Sequence, residues 1–212
     1  MIKIFAHRGF VSNKSPENSI AALDEAYNNK FDGVEFDLWF LENKIIIVHD
    51  KPNKKDILKL PTLDNFFKYK NQLDYWLDFK NMNQQNYIAI ILKLKEEINK
   101  NNIDLDKIYF APYINDYNFA QQVFDKARNV FGKNIKIVAL LDNVAQYKDV
   151  KQFIKNNKIY YISIDHQLIN QKLVNELEGI EILSWTIIDN KKYDDLRKIG
   201  INYFCSDILL QN

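Results

Sequence analysis

The 212-residue sequence is 47% hydrophobic and 27% charged, with Lys+Arg 29 against Asp+Glu 28. Such a composition describes one globular core rather than a disordered or membrane-embedded chain, and its near-zero net charge supplies no broad field for nucleic acid or an anionic membrane, so a small anionic ligand has to be held by local charges. The single cysteine, Cys205, forms no internal disulfide, and Met1-Ile2-Lys3 leads into an apolar strand instead of a signal-type stretch, which is the pattern of a cytoplasmic protein without stable membrane insertion.

Short β-rich runs alternate with helical stretches along the whole chain. The predicted strands are Ile2–Ala6, Gly33–Leu38, Leu73–Lys80, Lys107–Ala111, Ile135–Leu140, Tyr160–Ile164, Glu181–Ile187 and Tyr203–Asp207. Apolar residues at spacings of three and four predict helices around Ser19–Asn28, Leu63–Tyr69, Gln84–Asn99, Tyr117–Phe131, Val144–Asn156, Ile169–Glu176 and Lys191–Ile199. Eight strands with seven intervening helices predict a (β/α)₈ barrel in a single domain over 1–212, with a doubly wound sheet as the rival. An additional strand over Lys44–Asp50 folds back beside the second strand through a tight turn at Glu42-Asn43-Lys44. Nothing in the pattern addresses oligomeric state.

The chemistry-bearing residues cluster early. Side chains two apart on a strand share a face, so Val34, Phe36 and Leu38 point one way and Glu35 and Asp37 the other. In a barrel the acids point inward, where two unpaired negative charges cost several kcal/mol (roughly) unless a cation neutralises them. A solvated face of an antiparallel hairpin would show the same alternation; the barrel context favours a metal. The same periodicity puts Trp76, Asp78 and Lys80 on one side of their strand, so Asp78 supplies a third carboxylate with Lys80 beside it, a surface ion pair being the plainer alternative. His7 and His49, two of the three histidines, close apolar runs at predicted strand ends, where barrel enzymes carry their chemistry. The oxygen set of Glu35, Asp37 and Asp78 suits Mg²⁺ or Ca²⁺ better than zinc, and Arg8 and Lys80 offer cations to phosphate oxygens.

Weaker signals complete the list. Pro16-Glu17-Asn18-Ser19 precedes a helix, with Asn18 or Ser15 expected as its cap and Glu17 able to reach a group at the barrel mouth. His166 reads as a loop residue, Trp185 as core filling or a substrate platform, and Asp207 as a helix cap or part of the mouth.

Ala6–Gly9, Pro16–Asn18, Glu35–Asp37 and His49–Asp50 together resemble the glycerophosphodiester phosphodiesterase family, whose pattern opens with an AHRG strand, a PEN segment, an E-x-D strand and an HD pair in that order. Leu77-Asp78-Phe79-Lys80 resembles the family's E-x-K strand with Asp in place of Glu, Ser184-Trp185-Thr186 its WT strand, and Ser206-Asp207 its closing TD. The resemblance implies a phosphodiesterase barrel in which the three acids bind a divalent cation, His7 and His49 act as general acid and base, and Arg8 and Lys80 hold phosphate. The expected reaction converts a small-molecule glycerophosphodiester to glycerol phosphate and an alcohol. The departures are Lys51–Leu60, which stands where the family has an inserted cap and predicts a more open mouth, the shorter Asp78, and Ala111-Pro112-Tyr113 in place of a Ser-rich strand end. They keep two alternatives in play: a lipid, nucleotide-linked or surface-glycan headgroup as substrate, and a barrel that binds a phosphorylated ligand without turnover.

Overall fold

The computed structural model describes residues 1–143, 145 and 147–210. Its strands are β1 (Lys3–His7), β2 (Gly33–Leu41), β3 (Lys44–Ile47), β4 (Asp74–Phe79), β5 (Ile108–Pro112), β6 (Lys136–Leu141), β7 (Tyr161–Asp165), β8 (Glu181–Ile187) and β9 (Tyr203–Ser206). The helices are α1 (Ile20–Asn28), α2 (Leu63–Phe66), α3 (Tyr87–Asn101), α4 (Tyr117–Phe131), α5 (Tyr147–Asn157), α6 (Gln171–Glu176) and α7 (Asn190–Lys198). All strands but β3 pair in parallel with their neighbours, and β1 bonds to both β2 and β9, which closes the ring. This is a TIM barrel, and the closure rules out the doubly wound sheet.

Alternation along each strand divides the apolar side chains between two cores. Val34, Phe36 and Leu38 of β2 and Leu77 and Phe79 of β4 face the helices, whereas Phe5, Trp76, Tyr109, Val138, Leu183 and Cys205 fill the inside of the ring. α4 shows how the outer layer seals. Asp116 caps it by accepting from the backbone N–H groups of Asn118 and Phe119, and Phe119, Val123, Phe124, Ala127 and Phe131 form its buried stripe. Each fully buried large side chain of this kind stabilises the fold by roughly 1.5–3 kcal/mol. Inside the ring, Gly33 is needed because a Cβ there would lie 2.6 Å from the Phe5 ring. At the N-terminal end of the ring the buried Asp74 is ion-paired with Lys3 and, at 3.2 Å, with Lys107.

Three expectations need correction. The predicted helix over Leu63–Tyr69 is α-helical only to Phe66; 3₁₀ geometry takes over at Phe67 and is interrupted at Lys70, whose φ of 47° and ψ of −126° belong to no helix. The extra strand ends at Ile47, not Asp50: Val48 still donates its N–H to the Asp37 carbonyl at 3.1 Å, in register with the Leu38–Ile47 pair, and the chain bends at His49 and Asp50. α1 is capped by Ser19, which accepts from the Ala22 N–H, rather than by Asn18 or Ser15. The predicted start of the fifth helix at Val144 lies outside the described residues, and the helix is present from Tyr147. Among the described residues no helix is long and apolar enough to cross a membrane.

Candidate active site

The C-terminal mouth of the barrel gathers its side chains from three adjacent strands. Register places His7 beside Glu35 and Asp37 beside Asp78, so the inward side chains of β1, β2 and β4 converge. One carboxylate oxygen from each of Glu35, Asp37 and Asp78 lies within 4.8 Å of the others. They border a cavity of about 250 Å³ that His7, Arg8, His49, Lys80, Tyr113 and Trp185 also line. Glu17 stands just outside it, paired with Arg8.

His49 reaches this level by a different route from the rest. β2 runs past the ring, and Glu42 and Asn43, both left-handed at φ 50° and 60°, reverse the chain in a two-residue turn. β3 then returns antiparallel, with Leu38 opposite Ile47, and delivers His49 back beside Asp37. The Trp39 indole donates to the His49 carbonyl at 3.0 Å and the imidazole Nδ1 lies 2.9 Å from Asp50 Oδ1.

The Arg8-Gly9 turn is shaped by close approach to α1. Gly9 has φ +80°, and a Cβ there would sit 2.7 Å from the Ala22 backbone. Arg8 is itself left-handed at φ 55°, a conformation costing roughly 1–2 kcal/mol, and it turns its backbone N–H onto Glu35 Oε2 at 3.1 Å. Its guanidinium donates to Glu17 Oε2 at 2.8 Å, while Nε stands 2.9 Å from Asp37 Oδ2 at an angle too poor for a hydrogen bond.

Charge is unevenly compensated. Lys80 Nζ lies 2.8 Å from Asp37 and 2.6 Å from Asp78, and with Arg8 and Asn18 it outweighs burial and pulls the Asp37 carboxyl down. Among the described residues Glu35 forms no such ion pair. Burial, then Asp37, push its carboxyl from 4.5 up to about 8. Burial also pushes Asp78 up. A hard divalent cation answers an all-oxygen set of this kind, in which Glu35 is costly to ionise without one, so these residues fit a metal. Burial pulls the His7 imidazolium down, but Asp207 and Glu35 more than reverse this and its pKa is raised overall.

Sequence reasoning missed Asn18 as a site residue and left Asp207 between a helix cap and a part of the mouth. Asn18, left-handed at φ 55°, donates to Asp37 Oδ2 at 2.8 Å and accepts from the Asp37 N–H at 3.2 Å, so it fixes the acid from both sides. Asp207 Oδ1 lies 2.7 Å from His7 Nδ1. Of the expected supporting residues, Trp185 lines the cavity, and its buried indole N–H has no hydrogen-bond partner among the described residues. His166 is turned to the Trp185 carbonyl, to which its backbone N–H donates at 2.7 Å.

A profile of the "Glycerophosphoryl diester phosphodiesterase family" matches residues 7–210. The chain belongs to that family. With it the chain joins the phosphoric diester hydrolases. A glycerophosphodiester phosphodiesterase of Bacillus altitudinis is 40% identical over 52 residues, a segment covering 24% of this chain and 21% of that protein. A crystal structure of a glycerophosphodiester phosphodiesterase from Parabacteroides distasonis superposes with a TM-score of 0.78 at 15% identity, over 97% of this chain and 92% of that one. An Oleispira antarctica phosphodiesterase, solved in complex with the product sn-glycerol-3-phosphate, superposes with a TM-score of 0.77 at 18% identity, also over 97% and 92%. At these identities the two structures support the shared barrel, and the family assignment rests on the profile.

Proposed function

We propose that this member of the glycerophosphodiester phosphodiesterase family hydrolyses glycerophosphodiesters to glycerol phosphate and an alcohol at the barrel mouth, in a metal-dependent reaction. The observation that carries the reading is the convergence of three carboxylates, two imidazoles and two cationic side chains on one small cavity. A solvated acidic face would need no such company, and a module that only binds phosphate has little use for paired imidazoles.

Glu35, Asp37 and Asp78 would hold Mg²⁺ or Ca²⁺. Bound there, the ion supplies Lewis-acid polarisation of a phosphoryl oxygen. Arg8 and Lys80 face the phosphate, the first as a planar fork whose strained backbone fixes its direction, the second as a point charge. His7 and His49 move the protons: one takes the proton of the attacking hydroxyl or water, the other gives a proton to the leaving alcohol, each worth on the order of 10²–10⁴-fold. A carboxylate stands at Nδ1 of each ring, Asp207 for His7 and Asp50 for His49. With Nδ1–H donated to that carboxylate, Nε2 is left free for proton transfer.

The test is release of glycerol phosphate from a panel of glycerophosphodiesters, with and without a chelator. Activity that disappears on chelation and in His7→Ala and His49→Ala, with the thermal melt retained, is the expected result. Full activity in either variant, or after exhaustive chelation, overturns the reading. The short run from Val48 to Thr62, which carries only a 3₁₀ turn at Lys54–Lys59, favours a second reading in which another phosphodiester headgroup is preferred. The same panel extended to lipid, nucleotide-linked and glycan headgroups decides between them.

A further inference from the structure

A cavity of about 250 Å³ accommodates a phosphate and a small polyol, so the other ester substituent has to lie across the rim. The acids around that rim differ in what faces them. Glu17 faces Arg8, Asp207 faces His7 and Asp50 faces His49. Asp142, just beyond β6, is faced instead by two neutral donors, the Tyr113 hydroxyl at 2.8 Å and the Asn143 amide at 2.9 Å. Among the described residues it forms no ion pair, so its negative charge is solvated by dipoles and left uncancelled. Its field registers on the phenol it holds, because Asp142 is the leading cause of the raised Tyr113 pKa.

Tyr113 itself is placed for contact. Its N–H donates to the Phe79 carbonyl at 3.0 Å, which anchors it next to Lys80, and its side chain lines the cavity while the residue remains 43% exposed. Lys80 Nζ sits 5.9 Å from the ring centroid, so the ring stands at the boundary between the phosphate-facing cation and open solvent. An aromatic face beside an uncompensated carboxylate is a combination that recognises a cation, including one that cannot donate hydrogen bonds. A neutral polyol gains nothing from the charge.

We propose that Tyr113 and Asp142 form a rim subsite for a cationic leaving alcohol, one bearing an ammonium or quaternary ammonium group, and that they set a preference for such diesters over neutral ones. This rests on the reading of the cavity as a phosphodiesterase centre. Asp142 touches none of the phosphate, metal or proton-transfer groups and acts on specificity.

The experiment compares kcat/KM for glycerophosphocholine and for glycerophosphoglycerol in the wild type, Asp142→Asn and Asp142→Lys. Asparagine keeps an acceptor for the Tyr113 hydroxyl and removes only the charge. The expected result is a wild-type preference for the choline diester of about tenfold, lost in Asp142→Asn and inverted in Asp142→Lys, with turnover of the neutral diester within about twofold throughout. A wild type without preference, or an Asp142→Asn variant that slows both diesters alike, overturns the proposal. If neither diester is turned over, the phosphodiesterase reading fails separately. Equilibrium binding of glycerophosphocholine then decides the subsite: weaker binding to Asp142→Asn supports it, and equal binding to both proteins overturns it.

Discussion

At the residue scale the site is a problem of charge density, and Glu35 states it most sharply. Its carboxyl is raised from 4.5 to about 8, chiefly by burial and then by Asp37. Between those values the folded chain binds a proton that the unfolded chain has lost, so stability falls as pH rises through that window. His7 acts in the same direction, because a raised imidazole contributes stability below its ordinary 6.5 that is lost as pH climbs through the folded value. In the presence of a chelator the melting temperature should therefore drop between pH 5 and pH 8, and Mg²⁺ or Ca²⁺ should restore it most at pH 8. A flat profile without metal, or no metal-dependent gain, would count against the three acids as a cation site. Asp207 is the second informative residue. Asp207→Asn keeps the shape but offers His7 Nδ1 an amide in place of a carboxylate, so kcat should fall about 10²-fold or more with KM little changed, as steady-state kinetics will show. The inward acids were legible in the sequence because strand alternation alone sends Glu35, Asp37 and Asp78 to one side. Asn18 was not, since it reads locally as a cap, and Asp207, readable as a cap or part of the mouth, meets His7 only through β9 closing on β1.

At the element scale the β2–β3 hairpin decides where His49 goes. Its register is fixed by a two-residue turn, and a slip of one residue sends every side chain to the opposite face. One glycine inserted between Glu42 and Asn43 should thus abolish turnover by at least about 10²-fold while the barrel's circular dichroism and melt stay near those of the wild type. Retained activity would mean that His49 is not placed by the hairpin. The turn was readable from Glu42-Asn43-Lys44, and so were all eight barrel strands, with ends displaced by at most three residues. The change to 3₁₀ geometry after Phe66 was not: apolar spacing continues through Phe67 to Tyr69, and the positive φ at Lys70 leaves no mark in the pattern.

At the scale of the whole molecule, strand count predicted a barrel but closure is a matter of hydrogen bonds between the first and last strands, which periodicity does not encode. The two ends of the ring then serve different ends. At the N-terminal end Asp74 is buried and holds both Lys3 and Lys107. Removing it leaves two ammonium groups facing each other without an anion, so Asp74→Asn should cost about 3–5 kcal/mol in urea unfolding, while kcat measured on the folded protein is unchanged. A comparable loss of kcat would show that the ends are coupled.

Glu35, Asp37, Asp78 and Lys80 come from β2 and the β4 segment, His7 and Arg8 from the β1 end, and all lie in the first eighty residues of the sequence. Tyr113, Asp142 and Trp185, by contrast, sit on the later strands and the turns that follow them. On the proposed reading, the groups that carry the reaction and those that select its substrate are therefore written in largely separate stretches of chain, Asp207 behind His7 being the exception. Drift or grafting between Tyr113 and Trp185 should then retune which molecules are accepted without rewriting the apparatus that cuts them.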